Sequence, residues 1–208
     1  MAEKIKAELL SFLKGSELPL SILVVESVGY LPALRRLFPR AALYAVTANG
    51  QPEGPEYAGL SVHWTALDYL AAPLPFAPET FDYILSDLLL EQAGNPQDIA
   101  AGFSRYIKQT GALLTSFRNI RHWSVLEELR DGHYYRVCAR LFAKPEFEKL
   151  LYASYYKAVR MRAQRRAAPP EVMARLQAAA FENAHDDLET EFWLVYAARS
   201  MPELSLLK

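Results

Sequence analysis

The chain has 208 residues, a net charge of -1 and 51% apolar residues. This balance is typical of a globular protein and excludes the overall basic character of a nucleic-acid binder. The single cysteine, Cys138, excludes an internal disulfide framework and a cysteine-rich zinc site, so we expect no metal. Because the N-terminus is charged and no apolar run reaches the ~18 residues of a membrane span, we expect a cytoplasmic protein without signal peptide or transmembrane helix. The composition leaves the oligomeric state open.

Strands and helices alternate along most of the chain. A helix is predicted within residues 1–17, and Gly111 is predicted to mark a turn. Short apolar runs predict strands at 21–25, 42–47, 61–65, 81–86, 112–117, 157–161 and 191–198. Amphipathic segments predict helices at 31–38, 98–107, 123–129, 145–152 and 170–183, and the arginine-rich segment 160–166 reads as a strand end and loop. This alternation indicates an α/β fold, with helices on both faces of the sheet.

Several short motifs lie where the fourth and fifth strands are predicted. They read Leu74-Pro75-Phe76, Phe81-Asp82-Tyr83, Leu90-Glu91-Gln92, Asn95-Pro96 and Lys108-Gln109-Thr110-Gly111. Together they resemble class I S-adenosylmethionine-dependent methyltransferases, in a divergent, type 11/12-like form, over roughly residues 18–200. The resemblance implies a Rossmann-like, doubly wound, mostly parallel seven-stranded sheet with an antiparallel C-terminal strand.

The same resemblance implies a domain plan and a partner class. The chain is expected to form one domain over 1–208, with a helical and aromatic excursion at 118–156 after the fifth strand. The segment Asn119-Ile120-Arg121-His122-Trp123 resembles a branch often found beside glycosyltransferases. It implies a small-molecule or saccharide-type methyl acceptor.

The departures from the family lie in the cofactor turn after the first strand. In the simplest register, the three family glycines fall on Glu26, Val28 and Tyr30, and a shifted register saves one at Gly29. Glycine allows the backbone to approach a ligand closely, so side chains here are expected to reach toward the methionine part of S-adenosylmethionine. Glu26 also brings a negative charge toward the cofactor's carboxylate, which is unfavourable.

Two further family anchors follow the next strands. Thr47 stands where the family places an acid for both ribose hydroxyls, and Asp68 stands where it places the group that meets the adenine amine. The resemblance thus implies a cofactor set of Glu26, Ser27, Gly29, Thr47, Asp68, Ser86 and Asp87. For Asp68 and Asp87, an ordinary role as a turn or helix-capping residue is the alternative.

The segments after the fourth and fifth strands hold the candidate catalytic and substrate residues. His122 is the candidate general base, because the pKa of histidine lies near neutral pH, although a structural role beside Trp123 is the alternative. Glu91, Arg118 and Tyr134 are candidate substrate contacts. For Glu91 the alternatives are a surface helix residue or a packing role, for Arg118 a solvated surface charge, and for Tyr134 aromatic packing within the excursion.

Three functional hypotheses remain open. The first is a methyltransferase with a divergent pocket, since direct methyl displacement needs proximity and orientation more than a fixed catalytic set. The second is a catalytically inactive methyltransferase-like binding or scaffold protein, because a fold does not imply an activity. The third is binding of another nucleotide-like ligand. If Val28 and Tyr30 fill the place of the cofactor's methionine, the first hypothesis weakens.

Overall fold

The computed structural model describes residues 7–132 and 140–200, apart from the side chain of His185. Seven strands form one sheet in the order β3-β2-β1-β4-β5-β7-β6. Pairing is parallel from β3 to β5, and β7 is antiparallel to both β5 and β6. The strands are β1 (Ser21–Val25), β2 (Ala42–Thr47), β3 (Val62–Ala66), β4 (Phe81–Asp87), β5 (Ile107–Arg118), β6 (Ala158–Arg165) and β7 (Thr190–Ala198). The predicted doubly wound, mostly parallel sheet is confirmed.

Helices cover both faces of this sheet. They are α1 (Ala7–Leu10), α2 (Leu31–Leu37), α3 (Pro96–Tyr106), α4 (Trp123–Arg130), α5 (Lys144–Ala153) and α6 (Pro170–Ala178). On one face, α3 and α5 bury Phe103 and Phe147 in a core that includes Phe117 of β5. On the other face, α1 and α2 bury Leu9 and Leu34 in a second core. Strands buried on both sides explain the near-continuous apolar runs of the sequence.

Gly111 lies within a strand, so the predicted turn at this residue is wrong. β5 begins at Ile107, five residues earlier than predicted, and pairs with β4 across a register shift between Phe81 and Tyr83. A Cβ at position 111 would come within 2.5 Å of the carbonyl oxygen of Asp82. The glycine therefore permits the close approach of two strands rather than a change of chain direction.

The arginine-rich segment also differs from its prediction as a strand end and loop. β6 continues to Arg165, four residues beyond the predicted end. The guanidinium of Arg160 lies 4.4 Å from the ring centre of Tyr196, and that of Arg162 lies 4.5 Å from the ring centre of Phe12. These cations cover aromatic rings on neighbouring elements, and charged residues also suit an exposed edge strand.

Two helices end several residues before their predicted ends. In the described residues the N-terminal helix ends at Leu10, and residues 11–13 form a turn and bend. α6 ends at Ala178, followed by Ala180 in a left-handed conformation with φ 62°. Along the described part of the chain, none of the helices is long and apolar enough to cross a bilayer.

Candidate ligand-binding cleft

A cleft opens at the carboxyl ends of the parallel strands. The chain runs from β1 outward to β2 and β3 and then returns to β4 on the other side of β1, so the strand order reverses between β1 and β4. Open α/β sheets bind ligands in the crevice at such a reversal. A cavity of about 380 Å³ lies here. Its volume falls in the range of about 300–1,000 Å³ that is common for small-molecule sites.

The walls of this cavity come from four segments. They are the turn after β1, Ala48 after β2, the loop after β3, and the end of β4 with the turn that follows. Four of the predicted cofactor residues line it: Glu26, Ser27, Asp68 and Asp87. The fold therefore brings together residues that are up to about 60 positions apart in the sequence.

Three backbone N–H groups of the turn after β1 form hydrogen bonds within the turn. Glu26 is in a left-handed conformation, with φ 56°, and the chain then enters a short 3-10 segment, Val28–Tyr30. The N–H groups of Ser27, Val28 and Tyr30 donate to the carbonyls of Val25, Glu26 and Ser27, respectively. These three N–H groups are therefore occupied within the turn.

Tyr30, which the simplest register aligns with the third family glycine, contacts a residue of the cavity wall. Its ring is buried, and its hydroxyl donates to Oδ2 of Asp87 at 3.0 Å. The Ser116 hydroxyl donates to Oδ1 of the same carboxylate, and the Asp87 N–H donates to Oγ of Ser27 at 2.7 Å. Neither Val28 nor Tyr30 lines the cavity. Tyr30 and Ser116 thus hold the Asp87 carboxylate, and the two bulky turn residues stay outside the cavity wall.

The carboxyl ends of β1 and β2 are joined by Glu26. Its carboxylate accepts the N–H of Ala48 at 2.7 Å, and its own N–H donates to the carbonyl of Val46 at 2.9 Å. The Thr47 hydroxyl instead donates to the carbonyl of Gly50 at 2.5 Å and is nearly buried. The acid at this edge of the cavity is therefore Glu26, in the turn after β1, and not a residue at the end of β2.

Asp68 begins the turn that follows β3. Its carboxylate accepts the N–H of Leu70 at 3.0 Å, and its carbonyl accepts the N–H groups of Ala71 and Ala72. The next residue, Tyr69, also lines the cavity. Burial, together with the charges of Glu26 and Asp68, raises the pKa of Tyr69 to about 12. The phenol therefore stays protonated at neutral pH.

The cavity is electrostatically negative. Three carboxylates line it, and among the described residues no lysine, arginine or histidine does so. Such a cavity favours ligands that present hydroxyl or amine donors or a positive charge. No group of three or more metal-ligating side chains occurs within residues 7–132 and 140–200.

Three other predicted cofactor residues lie outside the cavity wall. They are Gly29, Thr47 and Ser86. Ser86 is fully buried in β4, and its carbonyl accepts the hydroxyl of Thr115 at 2.6 Å. Contact between these residues and a ligand stays a prediction.

His122 is fully buried and does not line the cavity. Its Nδ1 lies 2.8 Å from Oγ of Ser124. Burial lowers the pKa of His122 to about 4, and the positive charge of Arg166 adds to the shift. The imidazole is therefore neutral at pH 7, and its proposed role as a base stays a prediction.

The three candidate substrate residues have different environments. Glu91 is buried, and its carboxylate accepts the N–H of Arg118 at 2.9 Å, which links the turn after β4 to the end of β5. The guanidinium of Arg118 lies 5.2 Å from the ring centre of Phe192. Tyr134 lies outside the described residues. Substrate contact by any of the three stays a prediction.

Sequence reasoning missed several wall residues. Leu70, Leu89 and Gln92 line the cavity. The positions next to Asp68 and Asp87 offered a signal for them, since the wall continues along the same loops. The contact of Glu26 with Ala48 offered none, because it depends on how the carboxyl ends of two strands meet.

A second cavity of about 300 Å³ adjoins the cleft. It lies between the loop after β3 and α3, and it shares Tyr69 and Leu70 with the first cavity. Its lining is mostly apolar, and Gly102 of α3 leaves open space there.

Comparison with solved structures shows which known fold this chain has. No protein-family model and no curated protein matches the sequence. Phosphoethanolamine N-methyltransferase 2 of Haemonchus contortus, solved with phosphomonomethylethanolamine and S-adenosylhomocysteine, aligns with a TM-score of 0.64 at 15% identity, over 93% of this chain and 52% of that one. This chain therefore spans about half of that enzyme.

Two further structures align at similar levels. The proposed methyltransferase that binds the Trm112 activator of Haloferax volcanii gives a TM-score of 0.62 at 14% identity, over 93% of this chain and 88% of that one. The cyclase SpnF gives 0.62 at 16% identity, over 94% and 80%. The chain has the fold of class I S-adenosylmethionine-dependent methyltransferases. At these identities the likeness is one of fold.

Proposed function

We propose that this protein is a methyltransferase that binds S-adenosylmethionine in the cleft between β1 and β4. The observation that carries the proposal is the cavity of about 380 Å³ at the strand-order reversal, lined by Glu26, Asp68 and Asp87. On this proposal the whole chain serves as one catalytic domain, and the acceptor is a small molecule or saccharide.

The three carboxylates of the wall fit the chemistry of the cofactor. An adenosyl sulfonium presents ribose hydroxyls, an adenine amine and a positive charge, and ionised carboxylates accept hydrogen bonds from such donors and attract such a cation. Asp68, at the start of the loop after β3, is proposed to accept from the adenine amine. Asp87, held by the hydroxyls of Tyr30 and Ser116, is proposed to face the sulfonium end.

When bound, S-adenosylmethionine supplies an electrophilic methyl group. The residues of this chain then have to orient the cofactor and exclude water, because in-line displacement depends on proximity and orientation. The carboxylates of Glu26 and Asp87 can orient the cofactor because they are held in place before it binds. Ala48 holds Glu26, and the hydroxyls of Tyr30 and Ser116 hold Asp87. Preorganisation of this kind lowers the entropy cost of binding.

A second candidate function is ligand binding without methyl transfer. The bonds that close the turn after β1 favour it, since the N–H groups of Ser27, Val28 and Tyr30 are occupied and cannot receive the carboxylate of the cofactor. The fold also serves chemistry other than methylation, as the cyclase among the compared structures illustrates.

Titration calorimetry with S-adenosylhomocysteine tests the proposed site. Asp68→Asn keeps an oxygen for the N–H of Leu70 but removes the charge. A bond to a charged group is worth about 1.5–3 kcal/mol, so we expect the affinity to fall about 10–100-fold. The control is Asp98→Asn, which alters a carboxylate in the second cavity instead of the first. Equal affinities of wild type and Asp68→Asn would contradict the proposed site.

Turnover separates the two candidate functions. Methyl-labelled S-adenosylmethionine is incubated with the protein and a whole-cell extract, and label is followed into small molecules and macromolecules. Methyl transfer that is lost when a residue lining the cleft is substituted supports the methyltransferase. Tight binding of S-adenosylhomocysteine without any transfer favours the binding protein.

A further inference from the structure

Glu26 is a strained residue at the edge of the cleft. Its φ of 56° lies in the left-handed region, which is unfavourable for a residue with a side chain. Positions of this kind persist where the surrounding structure enforces them, and they are concentrated at ligand sites. Both ends of the residue are held by the end of β2 and the residue that follows it: the N–H donates to Val46, and the carboxylate accepts from Ala48.

The neighbouring polar groups are engaged elsewhere. The Thr47 hydroxyl donates to Gly50 and is nearly buried, and Thr47 is not part of the cavity wall. Both oxygens of Asp87 accept hydroxyls of the protein, and Asp68, in the loop after β3, accepts the N–H of Leu70. The group left at the edge formed by β1 and β2 is the Glu26 carboxylate, with Ala48 beside it in the wall.

We infer that Glu26 binds the vicinal diol of an adenosyl ligand's ribose, which assigns the diol to the turn after β1. The inference rests on the proposed function, because it requires an adenosyl ligand in this cleft. A vicinal diol presents two O–H donors on one edge, and a carboxylate has about four lone-pair sites, of which the Ala48 N–H uses one. Ribose hydroxyls are commonly bound by an acid at such a crevice.

The bond to Ala48 explains how a flexible glutamate can serve this role. It fixes the carboxylate across the gap between the two strand ends, so less side-chain freedom is lost when a diol binds. It also gives a reason for a glutamate at a position whose backbone suits glycine. The strain is retained because the carboxylate is needed in the cavity.

The test compares two probes, S-adenosylhomocysteine and its 2′,3′-dideoxy analogue, by calorimetry. The ratio of their affinities measures the contribution of the diol. In wild type we expect the parent compound to bind about 10–100-fold more tightly, as for hydrogen bonds to a charged acceptor. In Glu26→Gln, whose amide oxygen can still accept from Ala48, the ratio should fall toward one while the affinity for the dideoxy analogue stays within about two-fold.

Two further variants guard against a folding artefact. Glu26→Gly relieves the left-handed backbone but loses the bond to Ala48, so it should fold with a stability near that of wild type and still lose the preference for the diol. Glu171→Gln, an exposed change on α6, is the matched control and should keep the wild-type ratio.

The outcomes separate this inference from the proposed function. Binding of S-adenosylhomocysteine with no preference for the diol, or a ratio that persists in both Glu26 variants, overturns the role of Glu26 and leaves the proposed function standing. Loss of the ratio in Thr47→Val with retention in the Glu26 variants also overturns it. If wild type binds neither probe at millimolar concentration, both the inference and the proposed function fail.

Discussion

The hydroxyl of Tyr30 donates a hydrogen bond to Oδ2 of Asp87 at 3.0 Å, across the boundary between β1 and β4. In the simplest register, a tyrosine thus stands where the resembled family has a glycine, and its hydroxyl holds a carboxylate that lines the cavity.

Tyr30→Phe removes this bond and keeps the buried ring. Because the acceptor is a carboxylate, we expect the free energy of unfolding to fall by about 1.5–3 kcal/mol, as measured by urea denaturation. Tyr152→Phe changes a half-exposed tyrosine on α5 and should fall within about 0.5 kcal/mol of wild type. Equal stabilities of Tyr30→Phe and wild type would show that the hydroxyl contributes nothing to the turn.

Gly111→Ala places a Cβ 2.5 Å from the carbonyl oxygen of Asp82 and 2.7 Å from Cγ2 of Ile107. A backbone oxygen in a paired strand cannot move freely, so we expect a loss of about 1–3 kcal/mol from overpacking. Gly102→Ala is the matched control, because a Cβ added at this position in α3 would meet nothing within 4 Å. It should stabilise the protein by up to about 1 kcal/mol through helix propensity. Denaturant unfolding of both variants measures the contrast.

Stability is expected to depend on pH through His122. Its pKa in the folded protein is lowered to about 4, whereas an unfolded histidine titrates near 6.5. As pH falls from about 6.5 to about 4, this histidine binds a proton in the unfolded chain but not in the folded chain. Its contribution to the free energy of unfolding is therefore lost across that pH range. Above pH 6.5 the contribution is fully present.

The variant His122→Asn tests this dependence, since the amide can still bond to Ser124 and does not titrate. We expect the free energy of unfolding of the variant to decline less steeply than that of wild type between pH 6.5 and 4. Ser124→Ala is the control: it removes the partner but keeps the histidine, so it should keep the wild-type steepness. If the free energies of unfolding of His122→Asn and wild type changed in parallel with pH, the prediction would be wrong.

Glu91→Ala leaves the N–H of Arg118 without its carboxylate acceptor in a buried setting. Loss of a partner for a buried donor costs about 1–3 kcal/mol, and we expect a destabilisation of that size in denaturant unfolding. Glu91→Gln offers an amide oxygen to the same N–H and should lose less. If both variants lose turnover while keeping wild-type stability, Glu91 acts on substrate instead of supporting β5.

The fold could be predicted because its signals are local. The strands β1 and β2 were predicted at their observed bounds, since a run of buried apolar residues on a parallel sheet is visible in the sequence. Gly111 misled the prediction because the close approach that requires it comes from Asp82, on another strand. Arg160 and Arg162 misled it because the rings they cover lie far away in the sequence, although they are close in space.

The candidate site was predictable only in part. Asp87 ends β4, and Glu26 and Asp68 come just after β1 and β3, so the topology alone brings all three to one edge of the sheet. What these acids contact was not readable. The bonds from Tyr30 to Asp87 and from Ala48 to Glu26 depend on side-chain directions that only the assembled sheet defines.

The central claim is that the cleft holds S-adenosylmethionine, and thermal unfolding with and without this ligand and S-adenosylhomocysteine tests it most directly. A ligand at 100 times its dissociation constant stabilises a protein by about 2.7 kcal/mol, which for a chain of this length raises the midpoint by about 5–10 °C. We predict such a rise at about 1 mM ligand, and a smaller one in Asp68→Asn. An unchanged midpoint with both ligands would contradict the claim.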